Sequence, residues 1–388
     1  MRELIRYGGS VCDQREYNAV MKSVKGSIKS GNWQAGPQAK LLEQEAAKFL
    51  GVKHGILTNS GSSAGLLALS ALELPHGSEV IIPATTFPTI FNIILQCGLT
   101  PVVVDSKIGT YNLDPDELEQ AITKKTKAII VVHALGNPVD MPKVMKIAKK
   151  HGIKVIEDNC DGWGSRISGK AVRGFGDISI TSFHAAHIVS MGVGGGVFTN
   201  SREIAQRVRM YRDWGRQADI NKSENKKWKT LPKDYNPRFI YEKIGYNFQI
   251  LELQAAMGRV QLHKTTEIKR KRKANFDYLH QHLGKHRKLI LPIWNRKADV
   301  CWFSMPLTVA GERGPLLRHL EKRMIETRPM FAGNILKHPA YEGMKIKSFA
   351  HQADYILKHS FWISVHPLLS KEDLNHIVKA FDDYYAKS

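Results

Sequence analysis

"KAIIVVHALGNPVDMPKVMKIAKKHGIKVIEDN", residues 127–159, reads as strand, helix, strand. Its outer runs, "KAIIVVHA" and "IKVIEDN", are short, apolar and rich in β-branched residues, as strands are. Between them "MPKVMKIAKK" repeats apolar residues at helical spacing and stops before Gly152. Outward from this unit the rhythm recurs in "HGILTN", "SEVIIPA", "TPVVVDS", "DISITSFH" and "GGVFTN", most of them separated by amphipathic stretches. Such alternation predicts an α/β fold in which helices cover a largely parallel sheet. A further helix start is expected at "LDPDEL", with Asp114 as cap, Pro115 in the first helical position and Glu117 closing a capping box.

The texture changes at Gln217, where "QADINKSENKKWKTLPKDYNPR" is polar, rich in lysine and without period. It reads as a long loop, of the kind that often carries function. "IGYNFQILELQAAMGRVQLHK" then runs into a long bridging helix, and the remainder mixes short strands and helices. The expected division is a large domain over residues 1–250, with the bridging helix and a small C-terminal domain over 251–388.

The 388 residues, 43% of them apolar, can bury a large core. The opening "MRELIRYGGS" has no long apolar run of the secretory kind, and the longest apolar runs are strand-sized. The expectation is a cytoplasmic protein that does not enter a membrane. Cys12, Cys97, Cys160 and Cys301 are scattered without a CxxC pair, which points to reduced thiols rather than disulfides or zinc. A formal charge of +21 invites a polyanion, but lysines dispersed over solvated faces give the same total. "KRKRK" from Lys269 to Lys273 sits in a helical pattern without interleaved aromatics, so an exposed helix face is expected rather than a nucleic-acid arm.

Several stretches at strand ends carry candidate chemistry. In "LTNSGSSAGLLAL" a strand meets glycine and hydroxyl residues and then a helix; the amides there, with Ser60, Gly61, Ser62 and Ser63, can seat a phosphate or simply cap the helix. "VIEDNCDGWGS" puts Asp158 at a strand end, where it can pair with a protonated ring nitrogen or cap its own loop. Phe87 in "PATTFPT" can offer a flat face to a planar ring or fill the core. In "SFHAAHIVSMGVGGG", residues 182–196, Ser182 can assist at a phosphate or bond its own strand end, and His187 can act as a base or pack behind the sheet. His184 is expected to pack. The His184 and His187 spacing, with His133, also admits a metal reading, but no carboxylate motif of a zinc site accompanies it, and no metal is expected.

With these motifs at strand ends, the chain resembles, over nearly its whole length, the DegT/DnrJ sugar aminotransferases. These are fold-type-I enzymes that use pyridoxal phosphate on nucleotide-linked keto sugars. The resemblance implies a mainly parallel large domain and a smaller α+β C-terminal domain. It also implies that Gly61 and Ser62 hold the phosphate, Phe87 stacks on the ring, Asp158 pairs with its nitrogen and Ser182 assists at the phosphate. Asn247 in "GYN", where a plain turn asparagine looks the same, would reach the phosphate of a neighbouring subunit, which implies a homodimer.

Most of that family carries lysine where His187 stands, and lysine tethers the cofactor through its primary amine. An imidazole cannot. The cofactor implied is therefore held non-covalently, most usefully as pyridoxamine phosphate, with His187 keeping the proton-transfer half of the lysine's role; imidazoles ordinarily titrate at about 6.5, which suits that task. The same substitution resembles the family's 3-dehydratases of nucleotide-linked 4-keto-6-deoxyhexoses, and "RDWGR", "IGYN", "RPMFAGN" and "SFWISVHP" look nearest to the CDP-sugar member. That member holds an iron-sulfur cluster on four cysteines. Here Cys160 matches one, while Ala218, Ile220 and Trp228 stand at the other three positions, so no cluster is expected. Glutamate is the amino donor implied, as for the GDP-sugar member. Gln249, Val193 and His184 depart from the family's pattern. Another keto-sugar reaction on the aminotransferase plan, and a nucleotide-sugar binding protein without catalysis, remain the alternatives.

Overall fold

The computed structural model describes residues 2–172, 174–217, 230–232 and 234–386. Helix α1 (Gln14–Ser30) starts at a capping box between Asp13 and Glu16 and ends on Gly31, whose φ of 70° suits glycine. Helix α2 (Pro37–Leu50) begins with proline at its first position and ends the same way on Gly51. The strands then follow: β1 (His54–Thr58), β2 (Glu79–Pro83), β3 (Thr100–Val104), β4 (Thr126–Val132), β5 (Lys154–Asp158), the short β6 (Arg166–Ile167) and β7 (Lys170–Ala171), β8 (Ile178–Ser182) and β9 (Gly195–Thr199). The C-terminal part adds β10 (Leu289–Ile290), β11 (Ala298–Asp299), β12 (Met305–Val309), β13 (Thr327–Pro329), β14 (Lys347–Phe349) and β15 (Ser360–Ile363).

Eight of these form one sheet in the order β1-β9-β8-β5-β4-β2-β3-β14. Pairing is parallel from β8 through β14, and only β9 runs against its neighbours β8 and β1. All seven runs expected as strands are found here, and the mainly parallel α/β architecture is as expected. The central strands are nearly continuous apolar runs because helices cover both faces. One face packs against α3 (Gly61–Ser70), α4 (Pro88–Gln96) and the helix Arg202–Arg212 around Leu67, Phe91 and Val208. The other packs against the helix Met141–His151 around Val131, Val144 and Val155. A four-stranded antiparallel sheet, β10-β12-β15-β13, forms a separate core with Phe276, Leu307, Phe361 and Phe381. No helix among the described residues is long and apolar enough to cross a membrane.

Three local expectations are corrected. "LDPDEL" yields only the single turn Leu118–Ala121, because the Asp114 carboxylate accepts from the Asp116 amide at 3.0 Å and closes a local turn instead of capping a longer helix. Glu117 closes no capping box; its Oε2 is buried without a partner. The long helix after the loop is two, Glu252–His263 and Thr265–Leu283, parted at Lys264. The Lys264 ammonium is buried and paired with Asp13 at 2.8 Å and Glu16 at 2.6 Å, which pins α1 to this junction. The basic run is only partly an exposed face: Lys269, Lys271 and Lys273 pair with Asp299, Glu267 and Asp277, while Arg272 points into the core at 1% exposure.

The C-terminal part is fastened to the carboxyl ends of the large sheet through Asp105, just past β3. Buried at 2% exposure, its carboxylate accepts from the amides of His351, Gln352 and Ala353 at 2.8, 2.5 and 2.9 Å, capping the helix Gln352–His359. Ile335 and Ala332 donate to the carbonyls of Ala84 and Thr86 beside it. Asp105→Ala strands three amides at a helix start, and chemical denaturation should register a loss of about 2–4 kcal/mol, with α1 and the large sheet otherwise intact by circular dichroism.

Candidate active site

Strand β1 ends at Thr58, and α3 starts three residues later. Ser60 caps that helix, its Oγ accepting from the Ser63 amide at 3.0 Å. The amides of Gly61 and Ser62, in the first turn, have no helical carbonyl to bond. They border a cleft of about 420 Å³ at the carboxyl edge of the sheet. Glycine is required at position 61 by close packing: a Cβ there would stand 2.8 Å from the Ser182 Cβ and 3.3 Å from the Cys160 Sγ. The Ser62 and Thr89 hydroxyls share a hydrogen bond of 2.8 Å, which joins the start of α3 to that of α4. Ser182, ending β8, accepts from its own neighbour His184 N at 3.2 Å and also lines the cleft. Helix-start amides beside three hydroxyls suit an anion. No lysine or arginine of the described residues lines this cleft.

Asp158, the last residue of β5, is 7% exposed, and its Oδ1 accepts from the Cys160 amide at 3.0 Å. Burial pushes this carboxyl above the usual carboxylate range, and nearby Asp161 adds to the effect. Glu157, one residue earlier, serves the strand below rather than the cleft. It accepts from the Phe175 and Gly176 amides at 3.0 and 2.7 Å, and its other oxygen lies 3.3 Å from His133 Nε2. His133 Nδ1 accepts from the Val139 amide at 3.1 Å, so both its nitrogens are engaged and it is not available as a third imidazole ligand. Among the described residues no three His, Cys, Asp or Glu side chains are grouped to hold a metal ion.

Phe87, at the cap of α4, is 59% exposed and lines the cleft; it does not fill the core. His184 is also exposed and lines the cleft, against the expectation that it packs. Alternation at the strand end decides this, because Phe183 takes the buried position at 0% exposure and its neighbour must face away. Partial burial, and then the neighbouring His187, push the His184 imidazole below its ordinary value. His187 sits deeper, with its ring 5.4 Å from that of Phe303 and 6.3 Å from that of His184. Its Nδ1 lies 3.3 Å from Asp161 Oδ1.

Gly61, Ser62, Phe87, Asp158, Ser182 and His187 thus line one cleft, and Asn247 does not. Asn247 is exposed, bridged to Asp213, while Gln249 donates to the Asp213 carboxylate at 2.8 Å and Val193 is 54% exposed. Ala218, Ile220 and Trp228 lie outside the described residues; Cys160 lines the cleft. Sequence reasoning missed Tyr7, Thr89, Asp161, Phe303, Phe331 and Trp362, all on the cleft wall. Thr89 and Asp161 stood two and three residues from predicted positions and were open to discovery. The four aromatics come from the N-terminal segment and the C-terminal part, where nothing local signals a cleft.

Comparison with known proteins gives a consistent result. A sequence model described as the DegT/DnrJ/EryC1/StrS aminotransferase family matches residues 14–382. The lipopolysaccharide biosynthesis protein RfbH of Salmonella typhimurium is 37% identical, over 97% of this chain and 91% of its own. A dTDP-4-dehydro-2,6-dideoxy-D-glucose 3-dehydratase of Saccharopolyspora spinosa is 36% identical over 99% and 87%. Among solved structures, GDP-4-keto-6-deoxymannose-3-dehydratase with a trapped PLP-glutamate geminal diamine superposes with a TM-score of 0.88 at 27% identity, covering 97% of this chain and 99% of that one. With the family match running almost end to end and relatives above 30% identity along nearly the same span, the chain belongs to the DegT/DnrJ/EryC1/StrS aminotransferase family.

Proposed function

We propose that the protein is a 3-dehydratase that uses pyridoxamine or pyridoxal phosphate, without an iron-sulfur cluster, on a nucleotide-diphosphate-linked 4-keto-6-deoxyhexose. The carrying observation is that the cleft presents an imidazole, His187, and no lysine of the described residues, so the cleft wall offers no primary amine for a covalent tether. The residues present fit the cofactor. Gly61, Ser62 and Ser182 line the cleft with amides and hydroxyls that would hold its phosphate, exposed Phe87 would cover one ring face, and buried Asp158 would meet the ring nitrogen. When bound as the amine, the cofactor supplies the group that condenses with the sugar's C4 ketone and the conjugated system through which the C3 hydroxyl departs. His187 takes and holds the proton released at the cofactor's C4′.

Asp158 does a second job. Its desolvated carboxylate is costly alone and is offset by a protonated ring nitrogen, which keeps the cofactor's electron demand high. Glutamate is proposed as the amino donor, in keeping with the glutamate adduct in the similar dehydratase structure. Asn247, exposed and away from its own cleft, is proposed to serve the phosphate of a second copy in a homodimer. The family's aminotransferase description favours a second reading, direct amination of the sugar. Products made from a panel of nucleotide-linked 4-keto sugars, with and without glutamate, separate the two by mass, since dehydration removes the C3 oxygen and amination adds nitrogen at C4.

Borohydride reduction of wild-type protein loaded with pyridoxal phosphate should leave the protein mass unchanged, whereas His187→Lys should gain one pyridoxyl group. His187→Asn should bind the cofactor and lose dehydration by about 10²–10⁴-fold in kcat, the range expected for a general base. For Asp158 the sign follows from its raised folded-state value: the carboxyl binds its proton more tightly in the folded than in the unfolded chain, so stability without cofactor falls as pH rises from about 4 upward. Asp158→Asn lacks this loss. Its melting temperature should therefore pull ahead of wild type with rising pH, and saturating pyridoxamine phosphate should close the gap by stabilising wild type more.

A further inference from the structure

We infer that Asp161 is a positioning residue that sets the tautomer of His187: its carboxylate takes the Nδ1–H and leaves Nε2 as the unprotonated nitrogen. The inference rests on the proposed role of His187 as base. The two side chains are almost out of water, at 10% and 16% exposure, and the atoms stand 3.3 Å apart. His187 Nδ1 is a buried polar atom without an aligned hydrogen bond, so a small rotation of either side chain completes the contact. Catalytic hydrogen bonds are commonly loose before ligands bind.

From the other side, no hydrogen bond from another described residue reaches the Asp161 carboxylate, and a carboxylate withdrawn from water needs a donor. The imidazole can be that donor only through Nδ1–H. Phe303 limits the alternatives. Its ring stands against His187 at 5.4 Å, and its carbonyl accepts from Arg272 at 2.5 Å. Burial pushes that fully enclosed guanidinium down to about 10, and Cys301 and Asp161 offset part of the effect. Asp161 therefore lies within electrostatic reach of a fixed buried cation as well as of the imidazole.

The other titratable groups facing His187 in the cleft are His184, Asp158, Cys160, His133 and Tyr7, and none of them lies within ion-pair distance of its ring. Once Nε2 accepts a proton the imidazole carries a positive charge, and the same carboxylate already holds the Nδ1–H. One contact thus orients the ring, selects the basic nitrogen and stabilises the charged form, the logic of an acid-oriented imidazole.

The test uses full-length protein with ¹⁵N-labelled histidine, the His187 signals being assigned by their loss in His187→Asn. Wild type should carry its proton on Nδ1. Asp161→Asn, which keeps the shape, and Asp161→Ala should both lose that population toward Nε2–H. In the same variants the exchange of the C4′ hydrogen of bound pyridoxamine phosphate with solvent should slow about 10- to 100-fold, the scale of an orienting group, while affinity for pyridoxamine phosphate changes less than about twofold. An unchanged tautomer in Asp161→Ala overturns the inference. So does a lost affinity with unchanged exchange, which would make Asp161 a direct cofactor ligand. Failure of the underlying reading looks different: His187→Asn would then exchange the C4′ hydrogen at the wild-type rate, whatever the tautomer measurement gives.

Discussion

Parallel pairing is the constraint from which the site follows. Because β2, β4, β5 and β8 run the same way, their carboxyl ends meet along one edge, and the chain must leave each strand there. Every departure brings polar groups: free helix amides after β1, Phe87 and Thr89 after β2, Asp158 at the end of β5, Ser182 and the histidines after β8. An open α/β sheet binds ligands at such an edge for this reason. Antiparallel β9 packs closely against the turn that leads into α3, since any side chain at Gly195 would collide with the Ser60 carbonyl.

The electrostatics of the cleft are unusual for a protein with a formal charge of +21. Among the described residues its wall carries carboxylates and imidazoles but neither lysine nor arginine. An anion in the cleft would thus meet helix-start amides and hydroxyls, and the excess of basic residues lies elsewhere. Much of the lysine-rich run after Lys264 is spent in local pairs with Glu267, Asp277 and Asp299. Exposed pairs of this sort contribute little to stability.

The cleft presents His187 and no lysine of the described residues. Lysine combines a nucleophile with a base; imidazole retains only the second, and its planar ring adds the need to choose a nitrogen. The carboxylate at that ring is the group proposed to make the choice. Phe303 reaches the His187 ring from the C-terminal part, whereas Asp161 follows β5 and meets His187 beside the end of β8, the strand paired with β5.

Seven strands and the parallel sheet were legible from local pattern, because each run is encoded within a few residues, while the six site residues that share the cleft wall were left open by local pattern and singled out by the family resemblance. Local pattern failed where a nearby competitor intervened, as when Asp114 closed a turn rather than capping a helix, or where alternation at a strand end turned His184 outward and Phe183 inward. Only the tertiary structure could set the aromatic wall of Tyr7, Phe331 and Trp362, the burial that raises Asp158, the placement of Asn247 away from its own cleft, and the meeting of Asp161 with His187. These depend on contacts between segments far apart in the chain, and desolvation, which governs the carboxylates and imidazoles, belongs to the packed molecule rather than to any stretch of it.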